Sequence, residues 1–180
     1  MKNGSIATRY ARALFDEARE QGKDRHVYDC LRLLHDAMKA EPELQSVLIS
    51  PRVTPEKKVS LLAVASGEKD DMSLYVRFLR LVVRHGREAY MRTVIFVYCD
   101  LYREHYGIDR VVFETARPVD DEVRQAVIKK VSQKTGHEVE LVTAVKPELI
   151  GGFRIRVGDV RYDYSYQTKL FNIRNRLWNK

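Results

Sequence analysis

Side chains able to do chemistry are present in this sequence, but their spacing does not assemble them. Acid or base work would fall to carboxylates such as Asp16, Glu17, Asp159 and Asp163, and none is paired with a suitable histidine or metal cluster. His26, His35, His85, His105 and His137 are scattered without metal-ligand spacing. Cys30 and Cys99 form no CxxC, and each sits in an apolar periodic stretch. Both read as buried small hydrophobes in a reducing compartment rather than as a disulfide, a metal site or a nucleophile. No catalytic, cofactor-binding or metal-binding residue is assigned, and no enzyme is expected.

The stretch KPELIGGFRIRVGD, Lys146 to Asp159, offers the one glycine-rich candidate for phosphate binding. A Walker loop needs GxxxxGK[ST] ahead of a helix, and the dinucleotide fingerprint needs GxGxxG between strand and helix. Neither spacing occurs. Gly151-Gly152 precedes a strand-like run, so no helix N-terminus aims amides at a phosphate. Gly158-Asp159 falls where a tight hairpin between FRIRV and VRYDY requires positive φ. The stretch reads as turn chemistry of a small sheet.

The elements that hold these residues follow from periodicity. The chain has 180 residues, 44% of them apolar, with 9 Gly and 5 Pro, a composition able to bury a core in one domain or two modest ones. Helical spacing predicts helices from a Ser5 cap to Gly22, from about Val27 to Ala40, in a short segment around Leu44 to Leu48, and from Pro55, capped by Thr54, to Gly67. Two more follow, from Met72 to Arg84 and from Glu88 to Tyr106. After Gly107 the pattern shifts to short β-branched runs. Strands are predicted at Arg110 to Thr115, Glu138 to Val145, Phe153 to Val157 and Val160 to Tyr164. A helix spans Asp120 to Thr135, and Ser165 caps a terminal basic helix reaching Trp178. The expected fold is mainly α: a helical bundle over residues 1–107, then a small α+β domain over 108–180.

A formal charge of +7 favours acidic partners such as nucleic acid, an anionic membrane or an acidic protein. The start, MKNGSIATRYARALF, lacks a long apolar leader core, and no segment approaches the roughly 18 apolar residues of a membrane span. A soluble protein is expected, with room to dock on a membrane assembly. The terminal helix carries Lys169, Arg174, Arg176 and Lys180 beside Phe171 and Trp178, yet matches no RRM signature and no helix-turn-helix. Its plainer reading has Leu170, Ile173 and Leu177 packed on the sheet and the basic residues facing water or an acidic partner. A basic nucleic-acid-binding adaptor is the alternative.

Two helices carry more apolar surface than a core stripe needs. On a helical wheel, Ile6, Ala7, Tyr10, Ala11, Ala13, Leu14, Phe15 and Ala18 cover an arc of about 200°. In SLYVRFLRLVVR, only Ser73, Arg77, Arg80 and Arg84 leave a polar strip. Either both helices are central and buried on most sides, or part of each face forms a groove for an amphipathic helix from a partner.

ATRYARALFDEAREQG, SPRVTPEKK, FLRLVVRHGR and VKPELIGGFRIRVGDVRYDYS, in this order, resemble the delta subunit of F-type ATP synthases, called the oligomycin-sensitivity-conferring protein in mitochondria. The resemblance runs from about Ile6 to Leu177. The family motif has an acid where Lys146 stands and a glycine where Tyr164 stands; Asp163 and Ser165 match. The resemblance implies a non-catalytic peripheral-stalk protein without cofactor, on the cytoplasmic face of a bacterial membrane and meeting that membrane only through its complex. It implies an N-terminal six-helix bundle whose first and fifth helices grip the N-terminal helix of an alpha subunit. By position those contacts are Ile6, Tyr10, Ala13, Leu14, Phe78, Leu79, Val82 and Val83. The C-terminal domain would meet b-type stalk subunits through Leu170, Phe171, Ile173, Leu177 and Trp178.

Overall fold

The computed structural model describes residues 6–178, so the expected Ser5 cap and Lys180 lie outside the described residues. The chain is mainly helical with one small sheet. It divides into two units, Met1–Tyr102 and Arg103–Lys180.

In the first unit, α1 (Ile6–Glu20) is closed by a pair of bonds, from the Lys23 amide to the Ala18 carbonyl (2.8 Å) and from the Gly22 amide to Arg19 (3.0 Å). The chain re-enters a helix at once. Thus α2 (Asp24–Ala40) starts three residues before the expected Val27, with Asp24 in its first turn complementing the helix dipole. After the short α3 (Glu43–Ile49), Thr54 accepts a bond from the Lys57 amide and Pro55 opens α4 (Pro55–Ala65). Ser73 accepts from the Val76 amide at 3.2 Å, which starts α5 (Leu74–Arg84) at Leu74 rather than at Met72. A 3-10 turn, Glu88–Tyr90, leads into α6 (Met91–Tyr106).

Alanines make the bundle tight where α1 enters it. Ala7, Ala11 and Ala18 are essentially inaccessible, and Leu31, Leu34, Leu62, Tyr75, Leu79 and Tyr98 fill the interior. Each fully buried leucine contributes roughly 2 kcal/mol by removal from water. Phe15 meets Tyr98 edge-on at 5.6 Å, and the Tyr98 hydroxyl donates to the Asp24 carbonyl at 3.1 Å. One ion pair is also interior: Lys58 Nζ on α4 lies 2.9 Å from Glu88 Oε1, with side chains only 10% and 8% exposed.

The second unit is built on β1 (Ile108–Thr115), α7 (Asp121–Thr135) and β2 (Glu138–Val145), a crossover that pairs β1 and β2 in parallel from Ile108↔Glu138 to Thr115↔Val145. β3 (Phe153–Val157) and β4 (Val160–Asp163) add antiparallel strands, giving the order β2-β1-β3-β4. Val111, Phe113 and Thr115 alternate inward along β1, with Phe113 against Phe153 at 5.5 Å. Arg103 near the end of α6 reaches Glu140 on β2 at 3.4 Å, which ties that last turn to the sheet.

The glycine pair is fixed by contact as well as by φ. A Cβ on Gly151 would sit 2.6 Å from the Tyr166 ring, and one on Gly152, at φ +72°, would sit 2.3 Å from the Tyr164 carbonyl oxygen. Gly158, at φ +55°, makes the tight β3–β4 turn that its sequence implies. Lys146 has no side-chain acceptor for the following 3-10 turn (Pro147–Leu149), which is therefore uncapped by a side chain; its ammonium sits 3.8 Å from Glu148 instead. Tyr164 has no positive φ, so the residue needs no glycine there.

Asp163 closes the sheet onto α8 (Tyr166–Trp178). One carboxylate oxygen accepts from Arg154 Nε at 2.8 Å and the other from the Ser165 amide at 3.0 Å; Arg154 also reaches Glu114 at 3.1 Å. Burial opposes its charge, but bonds from the Ser165 hydroxyl and amide, Arg154 and Thr168 prevail and hold the carboxyl well below its ordinary value. A depressed carboxylate stabilises above its unfolded pKa and loses that contribution as pH falls through the folded value. Asp163→Asn is therefore expected to cost on the order of 2 kcal/mol at pH 7. Denaturant melts at stepped pH should show parent and variant converging below about pH 4; a gap constant with pH would refute the assignment.

The expectation that Leu170, Ile173 and Leu177 pack on the sheet fails: they are 54%, 55% and 74% exposed. The reason is how α8 is seated. Its first turn is anchored by the Tyr166 amide bonding the Gly151 carbonyl at 3.0 Å, and the helix packs against the Pro147–Leu149 turn, whose Leu149 is fully buried. Meanwhile α7 packs on β2.

Candidate functional site

A groove of about 360 Å³ lies between α1 and α5 in the first unit. Tyr10, Ala13, Leu14 and Glu17 supply one wall; Leu74, Arg77, Phe78 and Leu81 supply the other. Both sets follow the same spacing of three, one and three residues, which keeps four side chains on one helical stripe. Tyr10 and Phe78 meet edge-on at 6.3 Å. Leu14 and Phe78 are buried, Ala13 is open, and Leu81 is 46% exposed. Glu17 and Arg77 bring one carboxylate and one guanidinium to an otherwise apolar trough. Chemically this is an apolar channel with a charge of each sign, a surface complementary to one face of an amphipathic helix.

Of the eight residues singled out from the sequence, Tyr10, Ala13, Leu14 and Phe78 line this groove. Ile6 is half-buried one turn before Tyr10. Leu79, Val82 and Val83 are 0%, 1% and 6% exposed and belong to the bundle interior. Sequence reasoning did not assign Glu17, Leu74, Arg77 or Leu81 to the groove. The signal for them was the repeated stripe, which the apolar arc alone obscured.

In the second unit, α8 carries Leu170, Phe171, Ile173, Leu177 and Trp178, all between 52% and 85% exposed. Lys169 sits over the Tyr166 ring at 5.5 Å and Arg174 over Phe171 at 5.2 Å, so these cations partner the helix's own aromatics. A second apolar groove, about 530 Å³, runs between α7 and the strands β3 and β4, with Phe153, Val160 and Tyr162 on the strands, Tyr164 just past β4, and Lys130 and Lys134 on the helix. It was not anticipated from sequence. The alternation that identified the strands did not show that α7 leaves part of their apolar face open.

One group has metal-ligand character among the described residues. His26 and Cys30 are one turn apart on α2, and Glu68, in the α4–α5 loop, completes a set of three whose ligand atoms lie within 4.8 Å of one another. Burial works against the Glu68 charge, and bonds from the Asp70 amide, His26 and the Lys69 amide outweigh it, holding the carboxyl down at about 2. Burial, reinforced by Glu68 and Asp29, pushes the Cys30 thiol up to about 11, so without a metal it is no nucleophile.

Comparison with known proteins gives one answer. The sequence pattern of the ATP synthase delta (OSCP) subunit matches residues 6–177. The ATP synthase subunit delta of Parabacteroides distasonis is 42% identical, with 98% of each chain covered, and that of Bacteroides thetaiotaomicron is 31% identical over 100% of this chain and 97% of its own. A chain in the cryo-EM structure of the Toxoplasma gondii mitochondrial ATP synthase hexamer has the same fold, with a TM-score of 0.71 and 21% identity over 97% of this chain and 98% of that one.

Proposed function

Because the chain belongs to the ATP synthase delta (OSCP) subunit family, we propose that its α1/α5 groove receives the N-terminal helix of an alpha subunit. The protein is a non-catalytic peripheral-stalk subunit of the F-type ATP synthase. In this reading residues 1–107 act as a six-helix bundle toward the catalytic head, and residues 108–180 meet the membrane-anchored b-type subunits. The observation that carries the first contact is the pair of matched stripes at Tyr10 to Glu17 and Leu74 to Leu81, an exposed apolar trough shaped for one helix. For the second, support comes from the exposed apolar residues of α8, together with the groove beside α7. In this reading the work is done at the cytoplasmic face of a bacterial membrane, which the bacterial origin of the relatives supports; no helix among the described residues is long and apolar enough to cross it.

The mechanics explain why binding surfaces, not reactive groups, are what this chain needs. Rotation of the central shaft puts torque on the head, and without a stator proton flow would spin the head instead of driving synthesis. A stator element must therefore bind tightly at both ends. Helix-in-groove contacts supply that through buried anchors.

A peptide from the start of the cognate alpha subunit is expected to bind the full chain one to one. Ala13→Glu should weaken it at least about 30-fold, roughly 2 kcal/mol, without lowering the melting temperature, because Ala13 is exposed. Calorimetric titration of parent and variant checks this. No binding at high micromolar peptide, or equal binding by the variant, would remove the groove from the proposal. Copurification with alpha and b-type subunits tests the assembly role separately. A steep salt dependence of binding to nucleic acid would instead favour the adaptor reading.

A further inference from the structure

We propose that His26, Cys30 and Glu68 form a binding site for a zinc-type divalent cation that clips α2 to the α4–α5 loop. The donor set is one imidazole, one thiol and one carboxylate. Soft sulfur and imidazole nitrogen select zinc over calcium or magnesium, which take oxygen ligands. The geometry is close to what the metal needs. A tetrahedral zinc with ordinary bond lengths holds its nitrogen, sulfur and oxygen ligands roughly 3.3–3.6 Å apart. Cys30 Sγ is already 3.7 Å from His26 Nε2, and His26 Nε2 is 2.7 Å from Glu68 Oε2. Admitting the ion requires the imidazole to swing out by about half an ångström and the Cys30 and Glu68 ligand atoms, within 4.8 Å of each other, to close to zinc-ligand spacing. Its side chain is 55% exposed and free to do so, whereas the Glu68 side chain is 5% exposed.

The surroundings supply the supporting interactions that metal ligands need. The other Glu68 oxygen, Oε1, accepts from the Lys69 amide at 2.8 Å and the Asp70 amide at 3.0 Å, which fixes the carboxylate toward His26. Three protein ligands leave the fourth zinc position to water. On binding, Cys30 gives up its proton and ligates as thiolate.

Zinc chloride and cobalt chloride titrated into the full chain, freed of metal by chelator, provide the test. One equivalent should bind, cobalt should produce a thiolate charge-transfer band, and zinc should raise the melting temperature. The band should vanish in Cys30→Ser and persist in Cys99→Ser. Should Cys30→Ser fold poorly, His26→Gln, altering an exposed ring, should fold normally and lose the zinc-dependent rise in melting temperature. Absence of one-equivalent binding at micromolar excess, a band that survives Cys30→Ser, or undiminished zinc affinity in His26→Gln would overturn the site.

Discussion

Gly152→Ala is expected to destabilise the C-terminal unit by roughly 3 kcal/mol or more. Two costs combine. A side chain at φ +72° loses about 1–2 kcal/mol relative to glycine, and the new Cβ would stand 2.3 Å from the Tyr164 carbonyl oxygen, a backbone atom just beyond the end of β4. That carbonyl cannot swing away as a side chain could. The Tyr164 amide is itself bonded to the Phe153 carbonyl at 2.9 Å, so relief means prising β3 from the chain that follows β4. The neighbouring glycines calibrate the prediction. Gly151→Ala meets the movable Tyr166 ring and should cost less, and Gly158→Ala, with nothing within 4 Å, should cost about 1 kcal/mol from φ alone. Urea unfolding of the three variants should rank them 152, 151, 158. Equal losses at 152 and 158 would contradict the contact argument.

The second large effect belongs to the helical unit. Lys58→Ala leaves Glu88 with an 8% exposed side chain and no ammonium to offset its charge, and the expected loss is about 3–5 kcal/mol. The pair itself is worth much less than that, because desolvating two charges offsets most of their attraction. Glu88→Gln should therefore cost less than Lys58→Ala, and the double variant Lys58→Met, Glu88→Leu should recover most of the stability. A double-mutant cycle by thermal or denaturant melts measures the coupling. If the single and double variants lose the same amount, the buried charge is not the cause.

Much of the fold was legible because local chemistry set it. Thr54 and Pro55 announce α4, Gly158-Asp159 announces the β3–β4 turn, and the switch to β-branched runs after Gly107 announces the sheet. Boundaries shifted where a cap competed with a pattern, as at Ser73, whose hydroxyl claims the Val76 amide and begins α5 after Met72. The grooves were harder to read. Periodicity gives the apolar arc of α5 but not which part of it a neighbouring helix covers, so Leu79 and Val82 in the interior look the same on a wheel as Phe78 and Leu81 on the groove. The terminal helix misled for a related reason. An apolar stripe implies that something covers it, and sequence cannot say whether that is the chain's own sheet or another protein. The His26, Cys30, Glu68 cluster needed the fold, since Glu68 reaches α2 from a loop 38 residues beyond Cys30 in sequence.

The parallel pairing of β1 with β2 sets an order of events in synthesis. Ile108 must wait for Glu138, beyond an entire helix, before the first rung of that ladder can form, whereas in the first unit α1 can pack on α2 and α4 on α5 as soon as the second helix of each pair emerges. Local contacts form fast and distant strand pairing forms slowly. The helical half of a nascent chain is thus expected to be finished, with its groove ready for a partner, while the half that carries α8 is still on the ribosome. Assembly would then begin at the head end, and the apolar residues of α8 would enter water only after the growing complex already holds the chain.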